Sequence, residues 1–494
     1  MPDTLKRCPF FVLLIPFFFV LHGFIDNFGF VTPLEGLGLA GIYCLGAALT
    51  YLAVWLFMRN WSKAAVITGW LLLAYFFFGA YHDFLIKWAP LLSKYSVLLP
   101  LLLVLSIVVI VVVGRSGPPQ RPFLLLNLLF ILYTAIDTVE LAVDYMQPPP
   151  NKYGVLPAGF DMSAPVSASA KPDIYFLLFD EYASSLSLRE RYGYQNELDD
   201  WLETRGFHIV PKSYSNYNYT PVSMASILNI GFVQGIQDST LLTSKGMNYC
   251  LELLKDNAVV NFLSREGYEI VNCSSFDLNK NPQRVSETLL PVKTRLISGN
   301  TLWSKMFTDL SWMFFFGPYR IKWLADKSYF EGYKANAKLL EMAKTQSRIK
   351  SSHPIFVYCH TYMPHAPFFY DKNGHLRDIP TLRKLSSNHP SWAYLEYLTY
   401  VNGEIKKLID TIRSNTQNKA VIILMGDHGF REKIEQNVHC NYQNLNAVYF
   451  PGGNYHLFYD SLSGVNQFRV VFNSLFGQRL PLLKDSTVFL TGKQ

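Results

Sequence analysis

Charged residues are scarce in this chain. Only 16% of its 494 residues are Asp, Glu, Lys or Arg, and half are hydrophobic. The formal net charge of +7 is small for this length and gives no support for nucleic-acid binding. The length itself indicates more than one domain.

The apolar residues are concentrated near the amino terminus. Five apolar stretches lie within the first 150 residues: Phe10–Ile25, Leu37–Met58, Ala64–Tyr81, Tyr95–Val113 and Pro122–Val143. Several of them approach the roughly 20 residues that a helix needs to cross a bilayer. We therefore expect residues 1–146 to form a five-helix transmembrane domain.

The charges between these stretches predict the orientation. Basic residues fall on one side of the membrane, at Lys6, Arg7, Arg59, Lys63, Arg115 and Arg121. Acidic Asp26 and Glu35 fall on the other side, and Lys87 and Lys94 reduce the contrast without reversing it. Because short loops rich in Lys and Arg stay in the cytoplasm, the amino terminus is expected there and the chain after the fifth span outside.

The segment 147–171 has the composition of a linker. It contains three consecutive prolines from Pro148, several Ser and Ala, and little periodicity. The remaining residues, 172–494, are numerous enough to bury a full core and are expected to form one extracytoplasmic domain.

One stretch of this domain suggests a metal site. The apolar run Ala420–Met425 is typical of a buried strand, and it leads into Gly426-Asp-His-Gly429. Asp427 and His428 would leave the sheet at its carboxyl edge, where open α/β folds bind ligands. A carboxylate beside an imidazole suits a divalent metal; alternatively, Asp427 caps a helix.

A second strand is expected to bring acids to the same edge. The apolar run Ile174–Phe179 ends in Asp180 and Glu181. One such carboxylate has a structural explanation, but two strands that deliver acids to one edge indicate a shared cation.

Thr220 stands at the start of a predicted helix. Thr is a good N-cap and Pro221 fits the first helical position. At a helix amino terminus the Thr220 hydroxyl would be well placed to act as a nucleophile, since the unpaired amides favour an anion. The alternative is an ordinary helix start with no catalytic role.

Further polar side chains follow predicted strands. His360 ends the run from Pro354, and His365 lies in a proline-fixed loop just after it. They are expected to bind a second metal, donate to a substrate phosphate or transfer a proton, although each alone has a structural reading. Arg431 would clamp a phosphate or sulfate, or remain solvated. An aromatic segment around Trp303 either rests on the membrane or forms buried helices.

Four motifs together resemble the alkaline phosphatase and sulfatase superfamily, in its bacterial membrane-anchored branch of phosphoethanolamine transferases and lipoteichoic acid synthases. They are Pro172-Asp-Ile-Tyr-Phe-Leu-Leu-Phe-Asp180, Asn218-Tyr-Thr-Pro-Val-Ser-Met-Ala-Ser226, His360 with Pro364-His-Ala-Pro367, and Gly426-Asp-His-Gly429. The resemblance implies an alkaline phosphatase-like α/β domain with a mostly parallel central sheet. It also implies a multi-pass protein of the bacterial cytoplasmic (inner) membrane.

The resemblance also implies roles for single residues. Asp180, Asp427 and His428 would bind a divalent metal, in the first place zinc, with manganese or calcium as alternatives. This ion would also contact Thr220, the nucleophile. Glu181 is a further metal ligand by analogy with the paired acids of sulfatases, whereas the anchored transferases usually carry Glu at the position of Asp180.

The remaining implied residues bind the substrate. His365 would hold the transferred group, and His439 matches a later histidine of the family. Together with His360 and Arg431 they complete the predicted substrate-binding set.

The implied activity is transfer of a phospho-alcohol group, such as phosphoethanolamine or phosphoglycerol, through a threonine-linked intermediate. The donor would be a membrane phospholipid and the acceptor an envelope glycan or lipid. A sulfuric or phosphoric ester hydrolase is the second hypothesis, and an inactive envelope scaffold the third. None of the six cysteines begins the Cys-x-Pro-x-Arg motif that many sulfatases modify, which disfavours that class. Cys250 and Cys273 are left as a possible disulfide.

Overall fold

The computed structural model describes nine stretches of the chain. They are residues 8–28, 31–116, 120–146, 155–156, 171–237, 240–285, 292–315, 322–432 and 438–492. The predicted linker 147–171 therefore lies almost entirely outside the described residues. Two compact units are formed: Met1–Pro150 with Thr288–Arg320, and Asn151–Glu287 with Ile321–Gln494.

The first unit is helical. Its helices are α1 (Phe11–Asp26), α2 (Pro33–Met58), α3 (Trp61–Phe76), α4 (Phe78–Trp88), α5 (Pro90–Ser93), α6 (Tyr95–Arg115) and α7 (Gln120–Met146). Among the described residues, α2, α6 and α7 are long and apolar enough to cross a membrane. A fourth span results if α3 and α4, which are bent by 58° at Phe77, count as one, whereas α1 has only 16 residues. The predicted five spans are thus not confirmed, and the structure supports three or four.

Two later helices also belong to this unit. They are α13 (Val292–Ser298) and α14 (Leu302–Phe315), which come from the middle of the predicted exported domain. Ile297 of α13 joins the apolar cluster of Val20 and Phe24, so that α13 packs on α1. The predicted boundaries placed 172–494 in one domain, whereas 288–320 groups with the apolar helices.

The second unit is an α/β domain. Its helices are α8 (Ser185–Tyr192), α9 (Glu197–Glu203), α10 (Thr220–Leu228), α11 (Ser244–Lys255), α12 (Ala258–Arg265), α15 (Lys322–Arg348), α16 (Ile379–Asn388), α17 (Ser391–Asn415) and α18 (Gly464–Phe476). Its strands are β1 (Val155–Leu156), β2 (Ile174–Phe179), β3 (His208–Ile209), β4 (Phe232–Val233), β5 (Thr240–Leu242), β6 (Glu269–Cys273), β7 (Ile355–Thr361), β8 (Val421–Gly426), β9 (Asn446–Tyr449) and β10 (Leu490–Gly492).

Six strands form the central sheet, in the order β3-β9-β8-β2-β7-β6. Strands β6, β7, β2 and β8 are parallel, whereas β9 is antiparallel to both of its neighbours. The sheet is therefore mixed, and a mostly parallel sheet is not confirmed. Strand β9 lies between β3 and β8, and the two-residue β3 forms the edge of the sheet on this side.

The three central strands explain the predicted apolar runs. Every residue of β2, β7 and β8 is buried, as expected for parallel strands that are covered on both faces. One cover is α17, whose apolar side includes Leu398, Val401 and Ile405. The register pairs Phe179 of β2 with Thr361 of β7 and with Gly426 of β8, so three strands end at the same level.

The cysteines are free thiols in the structure. Cys250 lies on α11 and Cys273 ends β6, and both side chains are buried. Burial raises the pKa of each thiol to about 12, which keeps it protonated and unreactive. The disulfide that the sequence left open is therefore not formed.

Candidate active site

The aligned ends of β2 and β8 bring three metal-binding side chains together. Asp180 follows β2, while Asp427 and His428 follow β8. One ligand atom from each residue lies within 4.8 Å of the others, and all three residues are buried. The structure thus places these predicted metal ligands in one cluster.

Asp427 has one occupied and one free carboxylate oxygen. Its Oδ1 accepts hydrogen bonds from the backbone amides of Glu181 (2.8 Å) and His428 (2.9 Å). Its Oδ2 is buried without a hydrogen-bond partner and lies 3.2 Å from His428 Nε2. A buried oxygen that lacks a donor is costly unless a ligand supplies a positive charge.

The Nε2 atom of His428 lies beside the Oδ2 atom of Asp427. Its Nδ1 lies 2.9 Å from the Gly429 carbonyl, which fixes Nδ1 as the protonated nitrogen and leaves the Nε2 lone pair free. Burial, aided by the charge of Arg431, lowers the pKa of His428 well below its usual range. The ring is therefore neutral, as a metal ligand must be.

Asp180 completes the cluster with Asp427 and His428. Its Oδ1 is 3.8 Å from His428 Nε2. Burial, together with the Asp427 carboxylate, raises the pKa of Asp180 well above its usual range. Two buried carboxylates repel each other, and a cation between them would remove that repulsion.

The donor set suits a divalent cation. Two carboxylates and one imidazole are ligands that zinc binds in proteins, and manganese also accepts them. Asp427 Oδ2 has no hydrogen-bond partner, and it lies 3.2 Å from His428 Nε2, so both atoms are available to one ion. The residues present therefore fit the metal that the sequence predicts.

Thr220 lies against this cluster. Its hydroxyl is 3.3 Å from His428 Nε2 and 3.5 Å from Asp180 Oδ1. The predicted N-cap role of Thr220 is wrong: Tyr219 occupies the cap position, and α10 begins with Thr220 itself. The hydroxyl makes no capping bond because it turns toward the cluster, and it is thus available for chemistry.

Two glycines shape the turn that carries Asp427 and His428. A Cβ built on Gly426 would collide with the Tyr182 carbonyl oxygen, and one built on Gly429 with that of Cys440. These neighbours are backbone atoms and have little freedom to move. The turn therefore requires glycine on both sides of the two ligands.

We expect Gly429→Ala to displace this turn and to lower the free energy of unfolding by about 1–3 kcal/mol or more, because overpacked sites cost this amount. The matched control is Gly403→Ala in α17, where an added Cβ meets no atom within 4 Å. That change is expected to stabilise the helix by about 0.5–1 kcal/mol. Denaturant titrations of the two variants measure both effects, and equal stabilities would contradict this account of the turn.

Glu181 does not join the cluster of Asp180, Asp427 and His428, in contrast to its predicted role as a metal ligand. Its Oε1 accepts from the backbone amide of Arg431 (3.1 Å) and from Arg431 Nε (3.2 Å). Both side chains are buried, and Arg431 Nη1 donates to the Asn218 carbonyl at 2.7 Å. Burial acts to raise the pKa of Glu181, but His365 and Arg431 outweigh it and hold that pKa below its usual value.

The backbone of Glu181 is held in the left-handed region, with φ of 63°. For a residue with a side chain this conformation costs about 1 kcal/mol or more, and it persists where the surroundings enforce it. The Glu181 amide donates to Asp427 Oδ1, and its carbonyl accepts from the Tyr394 hydroxyl at 2.8 Å. Glu181 thus positions Asp427 through a backbone hydrogen bond and Arg431 through its side-chain carboxylate.

Removal of the Arg431 charge should be costly. Arg431→Met leaves the Glu181 carboxylate buried without its partner, and we expect a loss of about 3 kcal/mol or more in the free energy of unfolding. The Glu181→Gln, Arg431→Met double variant leaves no unpaired charge, so its loss should be smaller than the sum of the single losses. Denaturant titrations of the four proteins measure the coupling, and additive losses would show that the pair is not coupled.

His365 and His360 both lie near the end of β2. The His365 backbone amide donates to the Asp180 carbonyl at 3.2 Å, and its Nε2 is 3.8 Å from Glu181 Oε2. His360 ends β7 and is buried, with its Nδ1 2.8 Å from the Tyr358 hydroxyl. Burial lowers the pKa of His360 to about 4, so this ring is neutral. His365 is partly exposed and can reach a substrate.

The structure does not bring His439 into this group. His439 begins a short 3-10 helix and is exposed, and its ring packs 6.1 Å from that of Tyr214. Within the described part of the chain it forms no hydrogen bond or ion pair with Asp180, Asp427 or His428. Its predicted substrate contact remains a prediction.

Two supporting residues were not predicted. Ser223 Oγ donates to the Asp427 carbonyl at 2.6 Å. Asn218 exchanges two hydrogen bonds with the backbone of Leu490, at 3.0 and 2.8 Å. Ser223 stands three residues after Thr220 on α10 and thus shares its face, a spacing that was visible in the sequence. The partner of Asn218 is 272 residues away and no local pattern indicates it.

Comparison with known proteins gives one family match. Residues 192–468, more than half of the chain, match the sulfatase family. The search of curated proteins finds no match.

Several solved structures are similar to the chain. The C-terminal periplasmic domain of EcEptC from Escherichia coli, solved also in complex with Zn, is 12% identical, with a TM-score of 0.38 over 63% of this chain and 84% of that one. The phosphonate monoester hydrolase of Agrobacterium radiobacter is 12% identical, with a TM-score of 0.37 over 62% and 74%. At these TM-scores the similarities carry no information on the substrate.

Proposed function

Because this chain belongs to the sulfatase family, a member of the alkaline phosphatase superfamily as its motifs predict, we propose that it is a metal-dependent phospho-alcohol transferase. Its family makes it a sulfatase-like hydrolase or transferase of phosphate or sulfate esters. The apolar helices α2, α6 and α7 support a membrane anchor, and in this proposal the α/β domain lies outside the cytoplasm, as the distribution of Lys and Arg predicts. The transferred group would be phosphoethanolamine or phosphoglycerol, the donor a membrane phospholipid and the acceptor an envelope glycan or lipid.

The position of the Thr220 hydroxyl carries the proposal. It is 3.3 Å from His428 Nε2 and 3.5 Å from Asp180 Oδ1, and no helix cap competes for it. In the first step Thr220 Oγ1 attacks the phosphorus atom of the donor, and the bond from phosphorus to the diacylglycerol oxygen breaks. The hydroxyl proton ends on that leaving oxygen, and a phosphodiester of Thr220 remains.

In the second step the acceptor hydroxyl attacks the same phosphorus atom. The bond to Thr220 Oγ1 breaks, and the proton of the acceptor returns to Thr220. Water in place of the acceptor would give hydrolysis by the same chemistry.

Asp180, Asp427 and His428 would hold the divalent cation, which we take to be zinc from the carboxylate and imidazole donors. When bound, the cation supplies charge stabilisation to the phosphoryl oxygens and lowers the pKa of the Thr220 hydroxyl. His365, whose Nε2 lies 3.8 Å from Glu181 Oε2, would donate to the transferred group. Arg431 is held by Glu181 and Asn218 near Thr220.

The test is to trap the intermediate. The full-length protein is incubated in liposomes with phosphatidylethanolamine or phosphatidylglycerol, without acceptor, and its peptides are then analysed by mass spectrometry. We expect the peptide that contains Thr220 to gain the mass of one phospho-alcohol group, with release of diacylglycerol. Turnover of an aryl sulfate with no phospholipid adduct would instead favour the sulfuric ester hydrolase.

A further inference from the structure

Two helices of the helical unit turn aromatic side chains outward. On α14, Trp303 and Phe307 stack with ring centroids 6.4 Å apart and are 65% and 51% exposed. On α4, Phe84 and Trp88 lie 6.5 Å apart and are 61% and 68% exposed. Each pair is four residues apart and so forms a stripe along one face of its helix. These four residues are called the aromatic patch below.

The charged residues of α14, Lys305 and Asp309, both pair with neighbouring helices, although Asp309 is also exposed. Lys305 Nζ donates to Asp83 Oδ1 of α4 at 2.9 Å, and Asp309 Oδ2 accepts from the Tyr95 hydroxyl of α6 at 2.5 Å. A surface helix in water places its apolar face on the core, whereas α14 exposes Trp303 and Phe307. The described part of α14 thus has the pattern of a helix whose outer surroundings are apolar.

The segment that carries α13 and α14 is firmly attached to the apolar helices. The Gly79 amide donates to the Asn300 carbonyl at 2.8 Å, and a Cβ on Gly79 would lie 2.8 Å from that oxygen. A Cβ on Gly23 of α1 would likewise lie 2.8 Å from Ile297. These close contacts leave room only for glycine at positions 23 and 79. They hold the segment that leads into α14, and thus Trp303, against α1 and α4.

The contacts of this segment lie at helix ends that belong to one side of the membrane. Gly23 is near the end of α1, Tyr95 begins α6 and Gly79 is in α4. The distribution of Lys and Arg predicts that these ends are outside the cytoplasm. A segment that follows the exported strands β2 and β6 contacts them, which agrees with that orientation.

We propose that the aromatic patch of Phe84, Trp88, Trp303 and Phe307 lies in the head-group region of the outer leaflet and binds the phospholipid bilayer. Trp side chains concentrate at this depth, because the ring is apolar and its N–H remains hydrated. Lys87 lies 5.3 Å above the Trp88 ring, so its ammonium group is placed beside the lipid phosphates. The proposal does not depend on the catalytic activity.

A bilayer fits this surface better than a soluble partner does. The patch adjoins the apolar helix α3, from which α4 is bent by 58°. An amphipathic helix that adjoins a span at its outer end lies in the plane of the interface. The patch would hold a segment of the exported polypeptide at the lipid surface.

Tryptophan quenching tests this placement. The full-length protein is reconstituted into nanodiscs of phosphatidylcholine, with or without bromine atoms on the acyl chains near the ester groups. We expect brominated lipid to quench the emission of Trp303 and Trp88, which is obtained by subtracting the spectra of Trp303→Phe and Trp88→Phe from the parent. Trp201→Phe is the matched control, because Trp201 lies on α9 of the α/β unit under the Arg205 guanidinium at 3.6 Å, and its emission should not be quenched by lipid.

Aqueous iodide distinguishes the other outcomes. If the emission of Trp303 is quenched by iodide and not by brominated lipid, the patch faces water and the proposal is overturned. If neither quencher acts on it, a protein surface covers the patch, which also overturns the proposal. Unchanged thermal unfolding of Trp303→Phe shows that the comparison concerns folded protein.

Discussion

Thr220→Ala is expected to reduce phospho-alcohol transfer by about 10⁴-fold or more, since loss of a nucleophile has effects of this size. The hydroxyl lies close to both His428 Nε2 and Asp180 Oδ1, and no other hydroxyl in the described part of the chain has these two contacts. The adduct on the Thr220 peptide should also disappear. Thr220→Ser keeps a hydroxyl at this place and should retain measurable transfer. Activity is measured as release of diacylglycerol from a labelled phospholipid.

Thr243→Ala is the matched control for this substitution. Thr243 immediately precedes α11, and its hydroxyl is a true cap that accepts from the Gly246 amide at 3.1 Å. Its removal should cost about 1 kcal/mol of stability without loss of transfer. Thr220→Ala should do the opposite, since its hydroxyl makes no capping bond. If Thr220→Ala transfers the phospho-alcohol group at the same rate as the parent protein, the proposed mechanism is contradicted.

Asp427→Asn should weaken metal binding by about 100-fold or more, since even the loss of supporting groups around a metal ligand costs 10–100-fold. The substitution is selective. The Asn carbonyl oxygen can still accept from the amides of Glu181 and His428, so the turn keeps both hydrogen bonds. Only the unpartnered Oδ2 is replaced, by an amide nitrogen that cannot bind a cation.

Metal content of the purified full-length protein, measured by mass spectrometry, checks this expectation. Asp378→Asn is the control, because Asp378 caps α16 at the surface and Asn caps equally well. The control should bind metal as the parent does. If Asp427→Asn retains a full equivalent of metal with unchanged affinity, the ion does not lie at this cluster.

The central strands could be predicted from the sequence because their environment leaves a plain pattern. Strands β2, β7 and β8 are covered on both faces, which requires unbroken apolar runs, and a polar residue at the end of each run marks the sheet edge. The meeting of Asp180 with Asp427 follows from this rule. The mixed character of the sheet does not, since the direction of β9 depends on long-range pairing that no local pattern records.

Two site residues show where local reasoning fails. Thr220 has the sequence context of a helix cap, but contacts with His428, 208 positions away, decide its orientation. Glu181 follows Asp180, and the analogy with the paired acids of sulfatases suggested a shared metal. Successive side chains at a strand end point in different directions, and Glu181 therefore turns to Arg431.

The placement of α14 could not be decided for a related reason. An aromatic stripe at helical spacing has the same sequence pattern whether it faces a core or lipid. The face of α14 that contacts other helices is identified only by the partners of Lys305 and Asp309. These partners, Asp83 and Tyr95, lie more than 200 positions earlier in the chain.

The most direct test is the position of the metal ion in crystals of the full-length protein, located by anomalous scattering at the zinc edge. The account predicts one strong peak among Asp180, Asp427 and His428, with the Thr220 hydroxyl next to it. A zinc peak elsewhere, with none at this cluster in protein that transfers the phospho-alcohol group, would contradict it.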